Sequence, residues 1–111
     1  MKTFKLVLTV PTSHTEAVLT AIGEAGGGQI DQMYDCCAFI SRGEGRFRPL
    51  EGAHPAIGRI GQVTRVVEDR IEITITPDKL SAVIFAIRQV HPYEVPVIDV
   101  FPLLDLSEQF V

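Results

Sequence analysis

An α+β domain, a four-stranded antiparallel sheet carrying two helices on one face, is the fold the sequence predicts. Three observations predict it. Apolar residues alternate at Phe4, Leu6, Leu8 and Val10, and again at Ile71, Ile73 and Ile75, the period of half-buried strands. They recur at helical spacing at Val18, Ala21, Ile22 and Ala25, and at Leu80, Val83, Ile84 and Ile87. A chain of 111 residues has room for one two-layer core, so residues 1–111 are expected to form a single domain.

The elements follow in order. Residues 3–10 form the first strand, closed by Pro11. Thr12 or Ser13 supplies a cap for the first helix, which runs until Gly26, Gly27 and Gly28 stop it. Residues 33–41, rich in aromatic and apolar side chains, predict the second strand, and residues 63–76 the third. A Pro- and Gly-rich island at residues 43–58 lies between them. Pro77 suits the first turn of the second helix with Thr76 as its cap, and Pro92 ends that helix just after His91. Residues 95–101 predict the last strand, and Pro96 and Pro102 favour an edge position for it. The order is β-α-β-β-α-β, which right-handed crossovers fold into a ferredoxin-like sheet with both helices on one face.

The other face is expected to be covered too. Both parities of the second strand are apolar (Tyr34, Cys36 and Ile40 against Met33, Cys37 and Phe39), and so are both parities of the fourth (Val95, Val97 and Phe101 against Ile98 and Val100). A sheet covered on one side alone alternates apolar with polar. A second layer must come from the tail at residues 103–111 or from further copies of the chain, and self-association is the expectation.

Composition excludes several functions. A net charge of −4 with ten Lys and Arg argues against a nucleic-acid partner, because phosphate contacts need a basic face. No apolar stretch is long enough to span a bilayer, and the N-terminus lacks the long apolar run of a signal peptide, so no membrane partner is expected. The two cysteines are adjacent and build no disulfide framework, which points to a reducing cytoplasm.

Three constellations can carry chemistry. Residues 42–59 hold Arg42, Arg46, Arg48 and Arg59 against Glu44 and Glu51, a local charge of +2 in an acidic chain. Guanidinium forks and nearby glycine amides suit phosphate or carboxylate, so Arg46, Arg48, Glu51 and Arg59 are candidate ligand-binding residues for a small anion. The segment His91, Pro92, Tyr93, Glu94 turns the chain sharply, and His91, Tyr93 and Glu94 join that candidate site. His91 at a helix C-terminus near Glu94 is expected to favour its charged form. His91 and Glu94, with His54 or one of Cys36 and Cys37, are the alternative, a divalent metal site such as zinc, although no chelating motif fixes it. Gly43 and Gly45 make no dinucleotide fingerprint, and no nucleophile elbow or phosphate loop is present. A small-metabolite enzyme using His91 or Glu94 for proton transfer is a second alternative.

Three stretches together resemble a known family: Tyr34 through Phe39 (YDCCAF), Gly45 through Gly58 (GRFRPLEGAHPAIG), and His91 through Pro96 (HPYEVP) with Asp99. Along nearly its whole length the chain resembles the PII- and CutA-like domain inserted in YqfO-type members of the Nif-three-like dinuclear-metal family. The resemblance implies a ferredoxin-like fold and a homotrimer, with the flanking halves that hold the dinuclear metal elsewhere. It implies no hydrolase activity for this chain, and no cofactor. His54 stands where asparagine is expected, Val95 where a second glutamate is usual, and Ile98 where an aromatic is common. The acid lost at Val95 weakens a metal reading of the turn. The expected function is a non-enzymatic, homo-oligomeric module binding a small anionic ligand at an inter-subunit cleft.

Overall fold

A computed structural model describes residues 2–106. The strands are β1 (Thr3–Pro11), β2 (Phe39–Phe47), β3 (Thr64–Ile75) and β4 (Ile98–Leu103), and the helices are α1 (Thr15–Glu24) and α2 (Pro77–Val90). The sheet order is β2-β3-β1-β4, with every neighbour antiparallel. This is the α+β, ferredoxin-like arrangement the sequence predicts.

Period-two patterning places the core. Leu6, Leu8 and Val10 of β1 pair with Ile73, Ile71 and Asp69 of β3, and the apolar members point to the side that Val18, Ile22, Val83 and Ile87 of the helices cover. One cluster therefore joins both helices to one sheet face. Burying each of these side chains contributes about 1.5–3 kcal/mol, which makes this layer the main stabilising term. Asp69 occupies the one polar position in the row. It accepts hydrogen bonds from the Thr15 hydroxyl at 2.7 Å and from Arg42 Nε at 3.2 Å. Arg42 first, and Thr15 after it, hold its carboxyl below the usual carboxylate range.

The second strand lies six residues later than the sequence suggests. Residues 33–38 turn instead, with Asp31, Gln32 and Cys36 at positive φ and Ile30 bridged to Tyr34. Gly28, at φ +80°, lies against the Cys37 backbone, where a Cβ would clash. Aromatic and cysteine content imitates a strand, but this segment is a knot of turns at one end of β3. The strand itself uses the glycine- and arginine-rich residues 43–47, tolerated because β2 is an edge. The fourth strand likewise starts at Ile98 rather than residue 95 and reaches Leu103, and it is the other edge, as its prolines suggest. Neither Thr12 nor Ser13 caps α1. A short 3₁₀ turn at Thr12–His14 intervenes, and the Ser13 hydroxyl bonds His14 Nδ1 at 2.8 Å. Thr76 is the N-cap residue of α2, with Pro77 in its first turn.

The pairs from Glu44↔Val67 to Phe47↔Thr64 lie beyond the end of β1, so β2 and β3 continue as a two-stranded arm. The turn after α2 passes beside this arm.

Candidate functional site

A cleft of about 470 Å³ opens where the arm, the loop after it and the turn after α2 meet. Its apolar walls come from Phe47, Pro49, Ile57, Tyr93, Val95 and Val97, and its ionic groups are Glu44, Glu68, Glu94 and Arg46. An apolar concavity with a few convergent polar groups is the usual form of a small-ligand site.

His91 anchors the turn. As the residue ending α2 it donates its backbone N–H to Ile87 at 2.8 Å. Its ring Nε2 lies 2.8 Å from the Thr9 carbonyl, which can only accept, and Nδ1 accepts the Tyr93 N–H at 3.2 Å. Those partners fix the neutral tautomer with its proton on Nε2. Burial pushes the pKa down, outweighing the Thr9 carbonyl and the Glu68 charge that act the other way. The charged helix cap expected from the sequence is thereby corrected, since a residue only 7% exposed loses more hydration than the helix end returns.

Tyr93 stands over the floor of the cleft. Its ring meets Phe47 edge-on at 5.7 Å and lies 5.0 Å from the His91 ring. Its hydroxyl donates to Glu68 Oε2 at 2.6 Å, and burial, then that bond and the carboxylate charge, raise its pKa so that it stays protonated. Glu68 is 7% exposed. Gly43 is its register partner in β2, and a Cβ at Gly45 would overlap its carboxylate. Glycine in this strand therefore marks a close approach. Glu94, on the turn, accepts the backbone N–H of His54 at 2.9 Å and its other oxygen lies 4.0 Å from His54 Nδ1, so the long loop is tied to the turn.

The predicted site residues divide accordingly. Tyr93, Glu94 and Arg46 line the cleft, while His91 holds the turn from behind; Arg48, Glu51 and Arg59 are exposed on the arm and loop and lie outside its walls. Arg42 is engaged with Asp69. Of the four arginines only Arg46 reaches the cleft wall, because Arg42 is drawn to Asp69 and Arg48 and Arg59 lie on the loop, so three carboxylates face one guanidinium in the cleft. Glu44, Glu68, Gly45 and Phe47 are the residues sequence reasoning missed. The alternating Gly43 and Gly45 were the available signal, as close-approach glycines of a strand.

For a metal, His54 and Glu94 adjoin, but both ring nitrogens of His91 are already engaged. Cys36 and Cys37 belong to the turns tied to Thr74 through Gly28, at the far end of β3. No group of three metal-ligating side chains gathers among the described residues.

No protein-family model matches the chain. It is 42% identical over 105 residues to the GTP cyclohydrolase 1 type 2 homolog of Halalkalibacterium halodurans, covering 95% of this chain and 28% of that protein. The chain thus spans about a quarter of the length of the curated relatives it matches. The crystal structure of a Bacillus cereus protein related to NIF3 superposes with a TM-score of 0.81 at 41% identity, over 94% of this chain and 26% of that one. The PII-like protein CutA from Nostoc sp. PCC 7120 superposes with a TM-score of 0.66 at 16% identity, over 99% and 86%. That last likeness is one of fold. The chain is accordingly a relative, along almost its whole length, of one segment of the NIF3-related GTP cyclohydrolase 1 type 2 homologs, and its fold is the ferredoxin-like one of the CutA and PII-like proteins.

Proposed function

We propose that this chain is a non-catalytic, homo-oligomeric PII/CutA-like module that binds a small ligand in the cleft beside Tyr93. The cleft carries the reading: its walls are apolar, and Tyr93 and Glu68 are hydrogen-bonded to each other within it. Self-association, with a homotrimer as the proposed state, is supported by apolar side chains left bare on the helix-free side, Phe39 at 66% and Phe101 at 50% exposed among them. The tail at residues 103–111, the other candidate cover, lies partly outside the described residues. An anionic ligand would rely on Arg46, with Arg48 and Arg59 swinging in from the loop, against three wall carboxylates. The divalent-metal reading draws on the His54 and Glu94 pair.

Native mass spectrometry of the protein purified without additives tests both parts. The expected result is three times the 12.2 kDa chain mass, carrying a small molecule that is lost in Tyr93→Ala. A bare monomer at micromolar concentration would remove the proposal.

A further inference from the structure

We propose that the Glu68 carboxylate recognises a cationic hydrogen-bond donor, a primary ammonium group, on a small ligand whose apolar body lies against Tyr93 and Phe47. The inference rests on the reading of the cleft as a ligand site and names the ligand's chemical class.

Glu68 is more than nine-tenths buried and yet half satisfied. Oε2 accepts from the Tyr93 hydroxyl at 2.6 Å, and Oε1 receives no hydrogen bond from the described residues. No fully buried side-chain polar atom among the described residues lacks a partner, so Oε1 is in reach of the cleft. Oε1 is open to water from the cleft, and a ligand donor that takes the water's place gains a charge-assisted bond in a largely enclosed setting. Gly45 keeps the position open, since any side chain there would overlap the carboxylate. Glu44 and Glu94 add negative charge around the same space, against Arg46 alone. An ammonium group suits that field and makes a charge-assisted bond, while the rings supply apolar contact and cation–π attraction. A metal ion would require further ligands beside Glu68, and no group of three such side chains gathers among the described residues.

The test titrates the ¹⁵N-labelled full chain with three probes of one shape: phenethylammonium, phenethyl alcohol and 3-phenylpropanoate. Phenethylammonium is expected to shift the amide resonances of Gly45, Ala53 and Tyr93, with affinity at least about tenfold above that for the carboxylate probe, as for loss of a charge-assisted bond. In Glu68→Gln the Tyr93 hydroxyl keeps an acceptor while the free oxygen becomes a donor, so ammonium affinity should fall about tenfold and alcohol affinity stay the same. Unchanged ammonium affinity in this variant, or equal or tighter binding of 3-phenylpropanoate, overturns the assignment and leaves the cleft as a ligand site. If none of the probes moves these resonances, both readings fall. Should Glu68→Gln fail to fold, Arg46→Gln gives a second reading: ammonium binding should tighten, and weaker binding would overturn the proposal.

Discussion

His91 has no place for a second proton. Protonating Nδ1 would turn an acceptor toward the Tyr93 N–H into a donor, in a ring that burial already holds neutral. Its folded pKa lies below the ordinary 6.5, so the unfolded chain takes up the proton first as pH falls. The stability this ring contributes is complete above about pH 6.5 and is lost as pH drops from there toward the folded pKa. The melting temperature should therefore decline between pH 7 and 5, and His91→Gln, whose amide can still reach Thr9, should flatten that decline. A melting temperature that rises on acidification would reverse the assignment. Asp69 behaves similarly at lower pH: its depressed pKa adds stability above the ordinary 3.8 that is lost on further acidification. Arg46 and Arg48 are exposed, and Arg48→Ala should change stability by no more than about 0.5 kcal/mol in a denaturant titration.

At the scale of the element, β3 carries both core and site on its two faces. Ile71, Ile73 and Ile75 are fully buried under the helices, and Ile73→Ala should cost about 2–5 kcal/mol by chemical denaturation, with the spread set by how far the cavity collapses. The opposite edge of the pairing offers a sharper comparison. Gly43 and Gly45 both lie in β2, but a Cβ at Gly43 meets open space and one at Gly45 meets the Glu68 carboxylate. Gly43→Ala should stabilise the protein by up to about 0.5–1 kcal/mol through lower backbone entropy in the unfolded chain. Gly45→Ala should destabilise it and alter the near-ultraviolet signal of Tyr93, because Glu68 must move. Equal effects of the two substitutions would show that the close approach carries no weight.

At the scale of the molecule, the helix-covered face is complete and the opposite face is not. Phe101 pairs with Lys5 on that open side, while its neighbour Val100 pairs with Leu6 and packs on the core cluster. Their glutamate substitutions should separate assembly from folding. Phe101→Glu is expected to lower the mass seen by light scattering while the far-ultraviolet spectrum persists. Val100→Glu is expected to unfold the chain, since an unpaired charge forced into the core costs several kcal/mol. A parent protein that is already monomeric at micromolar concentration would leave Phe101→Glu without effect and remove the case for self-association.

Periodicity alone determined β1, β3 and both helices, because alternation and the 3.6-residue repeat record which side chains face the single core, and Pro77, Gly26 and Pro92 mark ends through backbone geometry that is local. Composition also singled out the turn that holds Tyr93 and Glu94, which line the cleft, as too rich in special residues to be a plain connection. Only the tertiary structure decided where β2 lies, since an edge strand partnered on one side needs little apolar content, and a knot of turns held by Thr74 accepts the aromatic residues instead. It also decided the charge of the site. The Asp69 contact and the loop separate Arg42, Arg48 and Arg59 from Arg46 in the cleft wall, although sequence groups all four, and the turn after α2 folds back on β3 to set Tyr93 over Glu68, 25 residues away in the chain. Burial, which no residue carries in its own name, then set His91 neutral against the preference of a helix end for a cation.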